Sequence, residues 1–297
     1  MRRSDILTHC TLCPRRCGVD RTVSKGFCGE DAGIRAAKAY LHMWEEPCIS
    51  GTNGSGTVFF TGCPLKCVFC QNYAISQQGT GKELTVRELA DVFLRLQYSG
   101  AHNINLVTAT HFVPQILDAL DMCKDELTVP VVYNSGGYEL TETIDMLKGY
   151  VDIFIPDLKY FSPEVSGKYS AAADYYKYAE KAVRHMVKTA GRPVFDENGL
   201  LKSGVIVRHM ILPSHRRDSD ALLRSIADLK DDILLSLMSQ YTPFFRAHEF
   251  HEIDRRIYTH EYRKVLDTVN ETGFEGYSQE RSSAREEYTP DFDMQGL

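Results

Sequence analysis

Three cysteines fall within the eight residues Cys63-Pro64-Leu65-Lys66-Cys67-Val68-Phe69-Cys70, spaced C-x3-C-x2-C, directly behind the apolar run Thr57-Val58-Phe59-Phe60-Thr61. The run has the character of a buried strand, and the loop must gather three thiols into one neighbourhood. Thiolates are soft ligands suited to zinc and to iron–sulfur clusters. A closed structural site takes four protein ligands, and this loop supplies three. A four-iron cluster held by three cysteines keeps one iron open for a substrate or cofactor. A zinc knob or a set of buried thiols is the plainer alternative.

The rest of the cysteine usage points the same way. The chain has nine cysteines, an odd number, and eight of them precede residue 71. A secreted disulfide framework spreads its cysteines over a smaller chain and leaves none over. Cys10-Thr11-Leu12-Cys13-Pro14-Arg15-Arg16-Cys17-Gly18 and Gly26-Phe27-Cys28-Gly29 give a second set, spaced C-x2-C-x3-C-x10-C. Cys10, Cys13, Cys17 and Cys28 complete a four-thiolate site for zinc or an auxiliary iron–sulfur cluster, with reduced thiols at a flexible terminus as the alternative. Glycines beside such ligands let the backbone curl round a metal. Cys48 has no close thiol neighbour in sequence and reads as a small buried residue.

Charge and hydropathy remove several classes. A formal charge of −6 with no dense Lys/Arg run gives no electrostatic case for nucleic acid. No apolar run of 18 residues exists, so no spanning helix is expected. The charged start leads into Cys10 with no apolar signal core behind it, and a cytoplasmic protein is expected.

From Thr57 a strand–helix alternation takes over. Strands are expected at Val58–Thr61, Ile104–Thr108, Val129–Tyr133, Val151–Ile155, Val205–Ile211 and Ile233–Leu237, short apolar runs fit for a parallel sheet buried on both faces. Thr85-Val86-Arg87-Glu88 is a capping box, and Gly100 sits where that helix should end. Further helices are expected over Pro114–Lys124, Thr141–Lys148, Tyr169–Thr189 and Ser219–Lys230. Neither G-x-G-x-x-G nor G-x4-G-K-[ST] follows a strand, which removes dinucleotide and P-loop binding. Residues 31–56 read as a connector in which 34–40 is a short strand or helix and 51–56 a flexible turn. Past about 245 a charged helix near Thr259–Glu271 and an acidic stretch, Arg281–Leu297, read as a cover over the core with a loosely ordered end.

Ligands of parallel β/α folds bind at the carboxyl ends of the strands. That rule nominates Thr108 and Thr110 after the second strand, Asn134 and Ser135 with Gly136 and Gly137 after the third, and Asp157 with Lys159 after the fourth. Arg208 and His209 neighbour each other on the fifth, and alternation sends only one of them inward. His111, His215, His248 and His251 read as structural or surface residues, and Tyr241 with Phe244-Phe245 as packing.

The C-x3-C-x2-C loop, with aromatic Phe69 before its third cysteine and a strand before its first, resembles the signature of radical S-adenosylmethionine (SAM) enzymes. From Cys10 to about Asp293 the chain is similar to the branch of pyruvate formate-lyase activating enzyme-like proteins. Further stretches that carry this are Cys13–Gly18, Gly54–Asn72, Tyr133–Gly137, Asp157-Leu158-Lys159 and Glu287–Phe292. The resemblance implies an α/β fold: a partial (β/α)6 radical SAM barrel over residues 57–245, a cysteine-rich segment over 1–56 and a helical extension over 246–297.

It implies as cofactors a 4Fe-4S cluster on Cys63, Cys67 and Cys70, which carry the catalysis, and S-adenosyl-L-methionine on its open iron. Around SAM it implies Phe69, the Thr108 and Thr110 hydroxyls for the ammonium, Asn134 or Ser135 for the ribose, Lys159 for the carboxylate, Asp157 orienting Lys159, and Arg208. Many family members have a Gly-Gly-Glu stretch after the second strand; this chain has no carboxylate there. The implied activity is an oxidoreductase that cleaves SAM to a 5′-deoxyadenosyl radical and abstracts hydrogen from a protein glycine. Its implied partners are a flavodoxin or ferredoxin reductant and a glycyl-radical protein, under anaerobic conditions. A small molecule or peptide side chain as target, or a non-catalytic electron-transfer protein, are the alternatives.

Overall fold

The computed structural model describes residues 3–278 and 290–297. One ten-stranded sheet organises the chain. Its strands are β1 (Ile34–His42), β2 (Ser55–Phe60), β3 (Lys82–Leu84), β4 (Ile104–Val107), β5 (Val131–Ser135), β6 (Ile153–Pro156), β7 (Val194–Phe195), β8 (Leu201–Met210), β9 (Leu234–Met238) and β10 (Gly276–Ser278). The order is β10-β9-β8-β6-β5-β4-β2-β1-β3, with β7 as a hairpin partner of β8. From β2 through β9 the six core strands run parallel, as expected. The two ends of the sheet are not paired with each other, so the expected partial barrel is the observed architecture.

The helices are α1 (Pro47–Ser50), α2 (Tyr73–Ser76), α3 (Val86–Tyr98), α4 (Val113–Cys123), α5 (Thr141–Leu147), α6 (Pro163–Ser170), α7 (Tyr175–Ala190), α8 (Arg216–Ser225) and α9 (Thr259–Thr272). The capping box closes as read: the Glu88 amide donates to Thr85 Oγ1 at 3.2 Å, and the Thr85 amide donates to Glu88 at 2.8 Å. Val131, Tyr133, Phe154, Val205 and Val207 face the helices and share one core with Leu89, Phe93, Ile116, Ala179 and Leu222.

Two expectations need correction, over the long helix and the chain's end. The stretch Tyr169–Thr189 is two helices, because Ala171 enters the left-handed region at φ +51 after α6. The break frees the Tyr169 and Ser170 carbonyls to receive the amides of Val68 and Lys66 at 2.9 and 3.2 Å. The connector carries β1, antiparallel to β2 and β3, where a short strand or helix is expected at residues 34–40. It then runs back under the sheet, where Cys48 and Ile49 pack on the inner face against Val132, Ile153, Ile155 and Ile206. The end is ordered where it is described, since residues 290–297 hydrogen-bond to β1. The Glu287–Thr289 part of the resemblance and most of the acidic stretch lie outside the described residues.

Candidate active site

Beyond β2 the chain turns at Gly62, φ +74, where a Cβ would meet the Glu30 side chain at 2.5 Å and Cys28 O at 2.9 Å. Only glycine fits this turn. The cysteine loop that follows is tied down on several sides. The Cys63 amide donates to Cys28 O at 3.1 Å, the Arg246 amide to Val68 O at 2.8 Å, and Gln77 Nε2 to Cys67 O at 2.9 Å. Each sulfur has a polar neighbour: the Leu65 amide donates to Cys63 Sγ at 3.4 Å, Ser170 Oγ to Cys67 Sγ at 2.8 Å, and Ser76 Oγ lies 3.3 Å from Cys70 Sγ. Burial pushes the Cys63 thiol up, and with Cys67 beside it pushes Cys70 up to about 11. A cationic centre would reverse that tendency, since it stabilises the thiolates that ligate it. Hydrogen bonds to the sulfurs and a shared cavity are what a cluster's ligands require, so the donor set fits the group.

A cavity of about 190 Å³ lies over the carboxyl ends of β2, β4, β5, β6 and β8. All three cysteines line it, with Phe69, Thr108, Asn134, Ser135, Asp157, Lys159 and Arg208. Thr108 holds φ +59, an uncommon strain for a β-branched residue, and its amide donates to Asn134 O at 2.8 Å. Thr110 departs from the expectation. It lies on a 3₁₀ turn over Thr110–Phe112 and its hydroxyl donates to buried Glu139 at 2.7 Å, away from the cavity. Gly137 is held at φ +76, and a Cβ there would fall 2.0 Å from Asp157 O.

The polar side of the cavity is one ion network. Asp157 pairs with Lys159 Nζ at 2.5 Å and with Arg208 Nε at 3.0 Å. Arg208 also donates to Asn134 Oδ1 at 2.6 Å and to Glu45 Oε2 at 3.2 Å. Glu45 in turn accepts from Asn105 Nδ2 at 3.2 Å and Asn134 Nδ2 at 3.3 Å. Burial works against the Asp157 charge, but Lys159 and Arg208 outweigh it and hold the carboxyl below its ordinary value. Burial likewise opposes the Lys159 charge, and Asp157 with Cys67 keeps it protonated. His209, on the opposite face of β8, bonds Leu158 O at 2.7 Å, and burial holds it below the usual imidazole value.

Glu45 escaped sequence reasoning because it sits in the connector, far from any strand end of the barrel. Tyr241 and Phe244, read as packing, also line the cavity, and the Tyr241 ring stands edge-on to Phe69 with centroids 5.6 Å apart. Of the histidines, His111 is buried against Thr61 O at 2.6 Å, whereas His248 and His251 are exposed.

Behind Thr110, Glu139 also accepts from the Tyr133 hydroxyl at 3.2 Å, and burial pushes its carboxyl up to about 7. A raised carboxyl pKa means that the fold holds this proton more tightly than the unfolded chain does. The resulting stability is present near pH 4 and is lost as pH rises through about 7. Thermal unfolding followed from pH 4 to pH 8 should show that decline, and Glu139→Gln should flatten it.

The N-terminal cysteines are all unpaired thiols packed around short turns. Cys10 exchanges backbone bonds with Val19 and Gly18, and a Cβ on Gly26 would stand 3.3 Å from Cys28 Sγ and 3.6 Å from Cys17 Sγ. Arg15 fastens this unit to the cysteine loop, donating to Pro64 O at 2.8 Å while its guanidinium covers the Phe27 ring at 4.1 Å. Among the described residues, no three His, Cys, Asp or Glu side chains converge on a single-ion point.

A partial parallel barrel whose first loop presents three thiols, beside a buried Asp–Lys–Arg network at the strand ends, defines a cluster-dependent class of enzyme. Residues 57–198 match the Radical SAM superfamily, and the chain is similar to its pyruvate formate-lyase activating enzyme-like branch. An uncharacterized protein of Methanocaldococcus jannaschii is 29% identical over 272 residues, covering 89% of this chain and 75% of that protein. The pyruvate formate-lyase-activating enzyme of Clostridium pasteurianum is 26% identical over 194 residues, covering 62% of this chain and 73% of that enzyme. Streptococcus suis SuiB, solved bound to its precursor peptide SuiA, shares the fold at a TM-score of 0.52 and 12% identity. That match covers 73% of this chain and 46% of SuiB, so this chain spans less than half of that structure. The match to that superfamily implies a four-iron cluster with SAM, and radical chemistry by SAM cleavage. Among the described residues, no helix is long and apolar enough to cross a membrane.

Proposed function

We propose that this chain abstracts hydrogen from a glycine of another protein, as a glycyl-radical enzyme activase-like member of its superfamily. The observation that carries the reading is the single cavity shared by the three cysteines and the Asp157–Lys159–Arg208 network. The similarity to pyruvate formate-lyase-activating enzymes supports the target. Cys63, Cys67 and Cys70 would ligate three irons and leave the fourth to SAM. When bound, these groups supply a 5′-deoxyadenosyl radical by one-electron reductive cleavage of the sulfonium.

The chain's own residues bind and orient. Lys159 meets the SAM carboxylate as a point charge, and Asp157 fixes its direction. The Thr108 hydroxyl and nearby carbonyls accept from the ammonium, while Asn134 and Ser135 meet the ribose. Phe69, Tyr241 and Phe244 keep water from the reacting centre. Cys10, Cys13, Cys17 and Cys28 would have to draw closer together to hold a second metal, zinc or an auxiliary cluster. The reductant is a flavodoxin or ferredoxin of an anaerobic cytoplasm. We read residues 1–56 as a metal-binding segment and connector, 57–245 as the catalytic core and 246–297 as its cover. The modest cavity, about 190 Å³, favours the second reading, in which a small molecule or peptide side chain is attacked.

Peptides carrying α-deuterated glycine separate the two. With reductant and SAM under anaerobic conditions, deuterium should enter 5′-deoxyadenosine. Product formed without deuterium from every glycine peptide would remove the glycine target and leave the radical chemistry standing.

A further inference from the structure

Residues 290–297 lie where the barrel stays open. β3 takes the edge of β1 only over Ile34–Ala36. Over the next residues of β1 the 290–297 segment stands in its place. The Met294 amide donates to Ala37 O and the Ala39 amide to Gln295 O, both at 2.9 Å. Lys38, buried, donates to Asp291 O at 2.8 Å and pairs with Asp293 at 3.1 Å. Gly296 comes so near, at φ +76, that a Cβ would fall 1.9 Å from Ala39 O. Phe292 turns inward, its ring 5.7 Å from that of Phe59, and packs with Ala37, Ile75 and Val107. Ile75 and Val107 also line the cysteine cavity, so one layer of side chains separates Phe292 from it.

Pairing with a strand edge is blind to sequence, whereas side-chain pockets select what pairs. Here the edge groups of Ala37 and Ala39 adjoin an apolar pocket for one aromatic ring and a buried ammonium for the acids beside it. We propose that this β1 groove docks an extended segment of the substrate protein, an aromatic residue flanked by acids, and that residues 290–297 fill it until that segment arrives. The inference rests on the protein-substrate reading above. It explains how a cavity of this size serves a protein: the partner presents a strand at the open side rather than a folded face.

The probe is a fluorescent peptide with the sequence of Pro290–Leu297, read by anisotropy without SAM. It should bind a chain ending before Pro290 at least about tenfold more tightly than the full chain, whose own segment competes. Alanine in place of the peptide's phenylalanine removes the buried ring and should weaken binding about tenfold or more. Equal affinity for both chains overturns the proposal. So does an absence of binding by a shortened chain that unfolds as cooperatively as the full one. Should the shortened chain fail to fold, the full chain carrying Phe292→Ala must bind the probe more tightly than the parent; equal binding again overturns it. The peptide should also inhibit deuterium transfer in the glycine assay competitively, and indifference to it would separate the groove from the substrate. Binding needs neither cluster nor SAM, so this inference and the radical reading can fail independently.

Discussion

A chain with Cys63, Cys67 and Cys70 all changed to Ala should lose the iron of the cysteine loop and every SAM-dependent change in the electron paramagnetic resonance spectrum, yet stay folded. The three side chains differ from alanine by one sulfur each, and what holds the loop is mostly backbone. The amides of Cys63, Lys66, Val68 and Arg246 supply those bonds, and alanine keeps them all. Thermal unfolding should move only modestly: the Leu65 amide, Ser170 and Ser76 each lose a weak sulfur partner, and the Ser170 hydroxyl keeps that of Tyr160 at 2.6 Å. 5′-Deoxyadenosine should fall to the level of a blank. Retained SAM response would mean that the open iron sits elsewhere, and the N-terminal cysteines would be the place to look.

The second large effect is expected at Arg208. Its guanidinium neutralises Asp157 and Glu45 together, and both acids are largely shut from water. Breaking a buried pair by removing one partner costs about 3–5 kcal/mol, since the other charge is left uncompensated. Arg208→Met should lower stability by about that amount in chemical denaturation and weaken SAM binding. Adding Glu45→Gln removes one orphaned charge and should return part of the stability. It should not return SAM affinity if the proposed role holds, because Asp157 would still lack the Arg208 contact that fixes it beside Lys159. Full recovery of both by the double variant would show that the network serves folding alone.

How much of this was legible in the sequence follows from what is local. Each core strand is an apolar run buried on both faces, a property of neighbouring residues, so all six were readable. The cysteine loop was readable for the same reason: its ligands are close in sequence and follow a strand. Alternation along β8 left Arg208 and His209 open, and the structure turns Arg208 inward. Thr110 went astray because the chain leaves β4 in a tight turn at Thr108, which rotates the next side chains out of strand phase. Glu45 had no local signal, and Phe292 stood only at the end of a stretch of family likeness, with no sign of where it packs. They matter through contacts with residues 163 and 233 positions away, Arg208 and Phe59 respectively, and only the folded sheet brings those together. The split of the long helix at Ala171 was hidden as well, since the carbonyls it frees are needed by a loop a hundred residues earlier.

The returning stretch after β1 has a consequence for traffic. His42 pairs with Ser55 at the amino end of β2, so Cys48 and Ile49 stopper the lumen from below, with Glu45 above them. The chamber is thus a cul-de-sac. Whatever lies deepest must go in first and come out last; for the proposed reaction that order is SAM before the target, and the modified target away before spent nucleoside and methionine.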